Sequence, residues 1–309
     1  MKNLLLIFCF LFPKIGKSCI NEYRTLMDGS VIKTEARSAI PEGKYNLDSK
    51  KELLNKLNKA DSIYKLTNKL FDYSDYATML IYNEQLEKAR DIFLSIEKQK
   101  ANLYITAANL GTTYELLGKN DSAIYWLSRA IAINPDSHNG SEWIHLKVLE
   151  AKKLSNGDNK LLSNTDILHL GLGDELMPKN PSTFNGNLNI LQVEIQLYIQ
   201  LVERMTFIQP KDAVVGRLLF DLGNVCAITK DLKSAIDIYE KAREYGFNSD
   251  LLDKRENHFK ALQLKADLRN DVEGWVKHNP GTFLLLAFII LVLILSGILY
   301  YFRKKNRSE

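Results

Sequence analysis

The sequence predicts an all-α protein, a solenoid of helix pairs followed by one C-terminal transmembrane helix. Three observations carry this. Residues 104–137, YITAANLGTTYELLGKNDSAIYWLSRAIAINPDS, read as two short amphipathic helices joined by a tight turn. A similar pattern occurs one period upstream and again from about residue 216. From Phe283 to Phe302 the chain carries no charged residue, and such a run at about 1.5 Å per residue spans the ~30 Å hydrocarbon layer.

Taken in order, the chain begins MKNLLLIFCFLFPKIGKS. One early lysine precedes an apolar run from Leu4 to Phe12, too short to cross a bilayer but suited to a signal-peptide core. Cleavage after the small residue Ser18 would make Cys19 the new N-terminus, a position open to bacterial lipidation although Lys17 spoils the preceding motif. Residues 19–47 are irregular, broken by Gly29, Pro41 and Gly43, and fit a strap or a short hairpin. From Asp48, taken as the cap, to Lys69 a helix is expected. Its stripe would hold Leu53, Leu54, Leu57, Ile63, Tyr64 and Leu66.

The first repeat covers residues 70–103, with Tyr73, Tyr76, Ala77, Leu80, Ala89, Phe93 and Ile96 in place. In the second, over 104–137, Leu110, Gly111 and Tyr114 share one helix face. Ala123, Leu127 and Ala130 share another. The small residues let two backbones approach and Tyr114 fills the space between. Gly118 to Asp121 breaks the first helix, Asp121 is the expected N-cap of the second, and Pro135 closes it.

The order Leu110-Gly111, Tyr114, Ala123, Ala130, Pro135 resembles the tetratricopeptide repeat, a helical hairpin of about 34 residues. Ala107 stands where that family usually has Trp, and Leu127 where it has an aromatic residue. A third copy over 216–249 matches with Leu222, Gly223, Cys226, Ala235, Tyr239 and Ala242. A single helix pair cannot bury its own apolar face, so the copies imply a stacked, right-handed solenoid.

Between the second and third copies the register fails. Ser141 to Leu154 reads as a helix with Trp143, Ile144, Val148 and Leu149 inward. Residues 155–187, rich in Gly, Asn and Pro, form an insertion whose Ile167, Leu168, Leu170, Leu172, Leu176 and Met177 suggest that part of it packs back on the solenoid. Helix resumes near Leu188. After the third copy, Asp250 to Lys277 is a long polar helix with Leu252, Phe259, Leu262 and Leu268 as a sparse apolar stripe. A terminal capping helix is expected to show a polar outer face.

This divides the chain into a signal peptide (1–18), an irregular segment (19–47), the solenoid (48–278), a membrane helix (282–302) and a basic tail (303–309). Tyr300 and Tyr301 sit at one membrane boundary and Trp275 just before the other. Arg303, Lys304, Lys305 and Arg307 place the tail in the cytoplasm. Together these features put the solenoid outside it, in the periplasm if the cell is a bacterium. Abundant Lys, Asn and Ile favour a bacterium and its cytoplasmic membrane. The sequons at Asn120 and Asn139 would matter only in a eukaryote.

The formal net charge is +4, but removing both basic ends leaves about −2 for the body. That excludes a basic nucleic-acid binder. With Cys9 lost in the leader, Cys226 on an inward face could pair only with Cys19, so no disulfide framework exists. His138, Glu142, His145 and Glu150 form the tightest histidine cluster. They lack the converging spacing of a metal site and read as polar and capping residues. Gly171-Leu172-Gly173 lacks the third glycine of a phosphate loop. No catalytic, cofactor or metal residues are assigned.

The resemblance implies a protein-binding groove lined by the first helix of each pair. Matching positions are Phe71, Ser74, Thr78 and Ile81; Ile105, Ala108, Thr112 and Glu115; and Arg217, Phe220, Asn224 and Ala227. The Lys/Asn clamp with which chaperone-binding members hold a C-terminal carboxylate is absent apart from Asn224. The function expected is a non-enzymatic scaffold or adaptor that recruits another envelope or membrane protein, tethered through 282–302. The alternative is the ectodomain subunit of a membrane sensor. A tail of seven residues leaves no room for an output domain, so a sensor would need a cytoplasmic partner. An enzyme would need a site in the insertion.

Overall fold

The computed structural model describes residues 21–305, apart from 36–37, 44–47, 156–157 and 185. The expected signal peptide, Cys19 and residues 306–309 lie outside the described residues. The fold is an all-α solenoid with one C-terminal apolar helix. Ahead of it stands a small antiparallel hairpin, β1 (Asn21–Thr25) and β2 (Val31–Glu35), in which Tyr23 faces Lys33.

Helix α1 (Lys50–Thr67) is capped by Ser49, not by Asp48. Ser49 accepts from the Glu52 amide while Glu52 reaches back to the Ser49 amide, a reciprocal pair that the Ser-x-x-Glu spacing supplies and Asp48, with Lys51 three residues on, does not. Asp48 instead pairs with Lys56 at 2.6 Å. Of the expected α1 stripe only Leu57 is buried, and Leu54, Ile63 and Leu66 stay exposed; among the described residues the main cover of this helix is α2.

The helix pairs follow as α2 (Leu70–Tyr82) with α3 (Leu86–Gln99), and α4 (Tyr104–Leu116) with α5 (Asn120–Ile133). Between α4 and α5, Gly118 takes φ +71° and the amides of Gly118 and Lys119 bond back to Glu115 and Tyr114. That left-handed close favours glycine. Helix α5 begins at Asn120 without a side-chain cap. Asp121, the expected cap, points out to Lys153 at 2.6 Å.

A short turn, α6 (Ser137–Gly140), leads into α7 (Glu142–Ser155), and α8 (Asn159–Asn164) lies in the insertion. Helix α9 (Ile190–Phe207) starts from an Asn189/Gln192 capping box. The last pair is α10 (Ala213–Thr229) and α11 (Leu232–Glu244). Helix α12 (Asp250–His278) then runs to Asn279, and α13 (Pro280–Lys305) follows. Its stretch Pro280–Leu299, with mean hydropathy 3.0 and no burial, is long and apolar enough to cross a membrane.

Two cores hold the stack. One surrounds Tyr76, Leu80, Phe93, Ile96 and Leu110 on α2 to α4. The other joins α7, α9, α10, α11 and α12 with insertion residues Ile167, Leu168, Leu170 and Leu172. Ala123, Leu127 and Leu149 form a third, smaller cluster between α5 and α7. Each fully buried Leu or Phe is worth about 1.5–3 kcal/mol. The insertion is thus partly structural, as its apolar content suggests. Cys226 is a core thiol, 1% exposed.

Leu268 does not share the face of Leu252 and Phe259. It is 56% exposed while those two are fully buried. At 100° per residue it lies nearly opposite them, so the outer face of α12 is not uniformly polar.

Candidate binding surface

Helices α2 and α4 repeat each other at a spacing of 34 residues, so Phe71 corresponds to Ile105, Thr78 to Thr112 and Ile81 to Glu115. Phe71 and Ile105 stand at the start of their helices, 64% and 49% exposed. Each leaves a large apolar side chain in water, an apolar mouth in the sense of two matching exposed positions and not part of the cavity lining. Deeper along the same face, Thr78, Ile81, Thr112 and Glu115 line a cavity of about 160 Å³. Its far wall comes from α7 and from the C-terminal half of α9, where Phe207 stacks on Tyr82 at 4.8 Å.

Glu115 is the hub of this wall. It accepts from both terminal nitrogens of Arg204 at 2.8 and 3.2 Å, from His145 Nε2 at 2.7 Å and from Lys152 at 2.9 Å. Behind it, Glu142 accepts from the Tyr104 hydroxyl at 2.7 Å and from His138 Nδ1 at 2.9 Å, and lies 3.7 Å from His145 Nδ1. Burial alone would raise the Glu115 carboxyl, but Arg204, His145 and Lys152 hold it well below the usual carboxylate range. Glu142 is lowered likewise, its bonds to His138, His145 and Tyr104 outweighing burial. Burial and Arg204 depress His145, yet its bonds to Glu115 and Glu142 prevail and raise it.

The histidine cluster singled out from sequence therefore assembles in part. His138, Glu142 and His145 meet, whereas Glu150 turns to Lys147 at 2.8 Å. Among the described residues no group of three or more His, Cys, Asp or Glu is arranged to hold a metal ion. Sequence reasoning missed Arg204 and Lys152. A signal existed. Gln196, Gln200 and Arg204 recur every four residues on one face of α9, and all three are buried. Gln196 accepts from Trp143 Nε1 and Gln200 donates to Ser141 Oγ, so this polar stripe fastens α9 to α7 and α4.

The downstream positions lie elsewhere. Arg217, Phe220 and Asn224 on α10 line a second cavity, about 880 Å³, bounded by Leu170 to Asp174 and the start of α12. Phe220 is 2% exposed and stacks on Phe247 at 5.3 Å. Asn224 Oδ1 accepts from Tyr239 and from Arg255, which also donates to the carbonyls of Leu172, Gly173 and Glu175. Arg217 pairs with Asp221 at 2.9 Å. Burial pushes Asp221 up to about 6 against the pull of Arg217. The structure thus separates the expected groove into an open mouth, a walled cavity and a buried floor beneath the insertion.

The spacing that makes α4 and α5 a pair also decides the comparison with known families. Residues 106–137 match the tetratricopeptide repeat family model. No curated protein matches the chain. The matched repeat supports a general role in protein–protein interaction. Within it, Gly111 lets Leu127 approach to 3.4 Å of where a Cβ would sit, which is the close helix contact that the repeat depends on.

Proposed function

We propose that the chain is a non-enzymatic interaction scaffold, tethered to the bacterial cytoplasmic membrane by 282–302 with its solenoid on the periplasmic side. The observation that carries the binding role is the pair of repeat-equivalent apolar side chains, Phe71 and Ile105, both exposed at the start of the first helices of consecutive helix pairs. A surface that keeps large apolar groups in water at repeat spacing is suited to receive a partner. The tether is supported by the apolar run, its flanking Trp275, Tyr300 and Tyr301, and the basic residues from Arg303. Thr78 and Thr112 would extend the contact inward. Arg217, Phe220 and Asn224 would act through the insertion rather than by direct contact.

The test is affinity capture of the full-length protein after mild cross-linking in its native membranes, beside Phe71→Ser/Ile105→Ser. Both residues are exposed, so the variant keeps its fold by circular dichroism. Loss of one envelope protein from the variant supports the mouth as the working surface. An unchanged set of captured proteins contradicts it. A sensor reading is favoured by one observation. Helix α12 runs as a single 29-residue rod from the last repeat to the start of the apolar helix, a stiff link for passing a shift. In that case replacing Arg303, Lys304 and Lys305 by Ser would abolish output while leaving capture intact.

A further inference from the structure

The second half of α12 carries an apolar stripe that no other element among the described residues covers. Leu264, Leu268, Val272 and Trp275 are 60%, 56%, 60% and 42% exposed. Their spacing of four, four and three residues confines them to an arc of about 80° at 100° per residue. On the opposite face Phe259 is buried in the core shared with α10 and α11, and Ala266 is buried as well. The stripe is therefore additional to the surface that holds the helix in place, and it leads directly into α13.

Its edges differ in sign. Asp267 and Asp271 flank the stripe on one side, and Lys265 and Arg269 on the other. Arg269 also donates to the Gly29 carbonyl at the hairpin tip, which fixes the basic edge beside the hairpin. When two identical helices pack in parallel through such a stripe, the acidic edge of each faces the basic edge of the other, at heights matching within two residues. In an antiparallel pair like edges would meet and repel. Two copies anchored by α13 in one membrane are held parallel, the sense these charges select. Over Leu264 to His278 cations and anions balance three to three. The segment therefore has no net attraction for an anionic lipid surface.

We infer that the chain pairs with a second copy of itself, in parallel, through the Leu264–Leu268–Val272–Trp275 stripe of α12 just outside the membrane. The parallel sense rests on the membrane reading proposed above. The pair would set two solenoids side by side and present two mouths to one partner assembly.

The experiment is disulfide cross-linking of full-length protein in native membranes, with Cys9→Ser, Cys19→Ser and Cys226→Ala as background. Leu268→Cys is expected to give a cross-linked dimer, and Glu273→Cys, on the opposite face, about tenfold less. Adding Asp267→Lys and Asp271→Lys makes both edges basic and should reduce the Leu268→Cys dimer about tenfold. Adding Lys265→Asp and Arg269→Asp as well should restore it. Equal cross-linking at the two positions, none at Leu268→Cys, or no response to the charge changes overturns the inference. Alkaline extraction of the same membranes reports the tether separately. A chain released as soluble refutes tethering, whereas a retained chain without cross-linking refutes the pairing alone.

Discussion

Arg204 of α9 holds Glu115 of α4 through both terminal nitrogens, at 2.8 and 3.2 Å, across 89 residues of sequence. His145 and Lys152 of α7 complete the ring, so three helices that are not neighbours in the chain meet at one carboxylate. Removing that carboxylate leaves the buried guanidinium of Arg204 unpaired. Glu115→Ala is expected to cost about 3–5 kcal/mol. Urea unfolding checks this, and in a double-mutant cycle with Arg204→Ala the double variant should lose less than the sum of the two single losses. Simple additivity would mean the two groups do not act together.

The pH dependence has opposing parts. Glu115 and Glu142 are both held below their ordinary value of 4.5. Each contributes stability that is complete above that value and lost as pH falls through the folded one. Asp221 runs the other way, raised from 3.8 to about 6 by burial. Its folded form keeps a proton that the unfolded chain has released, so stability declines as pH rises from about 4 towards 7. His145 is raised above 6.5, and its contribution, complete below 6.5, is lost as pH rises through the folded value. The thermal midpoint should therefore peak near pH 4.5, where the gain from Glu115 and Glu142 is complete and the loss at Asp221 has only begun. Asp221→Asn should flatten the decline between about pH 4 and 7, leaving that of His145 above it. A profile unaltered by the substitution would contradict the assignment.

Gly111 and Gly223 occupy corresponding places in the helix pairs α4–α5 and α10–α11, each facing the partner helix 12 residues on, but meet different neighbours. A Cβ at Gly223 would lie 2.5 Å from the Tyr239 ring, itself wedged between Phe220 and Phe259. At Gly111 it would meet Leu127 at 3.4 Å. Gly223→Ala should destabilise by about 1–3 kcal/mol through overpacking. Gly111→Ala should fall near neutral, since a tight contact is offset by about 1 kcal/mol of helix propensity. Equal effects in thermal melts would show that the aromatic at 239 is not what sets the limit.

Cys226 should be chemically silent in the folded protein. Burial pushes its thiol up to about 12, and only 1% of the residue is exposed. Labelling with a thiol reagent should track global unfolding across a urea titration. Rapid labelling without denaturant would contradict the core placement.

The repeats were legible because their chemistry is local. Leu110-Gly111, Tyr114 and Ala123 announce helix faces at fixed spacing, and the apolar run from Phe283 announces itself by length alone. Caps were read less well. Ser49 wins over Asp48 because only Ser49 has a Glu three residues on, and Lys119, not Asp121, holds the cap position of α5. The surface was the least legible part. Repeat spacing places Phe71, Ile105, Phe220 and Asn224 alike, yet the insertion lies over the last two and leaves the first two in water. Which face stays open depends on contacts such as Arg204–Glu115 and Arg255–Leu172, which join residues more than 80 positions apart. No local pattern encodes them. The Leu268 face of α12 was misassigned because a sparse stripe was read as one face when it was two.

The most direct test of the binding role is site-specific photocross-linking of the full-length protein in its native membranes. One probe replaces Ile105 at the mouth, and the other replaces Tyr125, an exposed residue of the second helix of the same repeat. The account predicts a discrete adduct with one envelope protein from position 105 and none from 125. An adduct from 125 alone, or the same adducts from both positions, would contradict it.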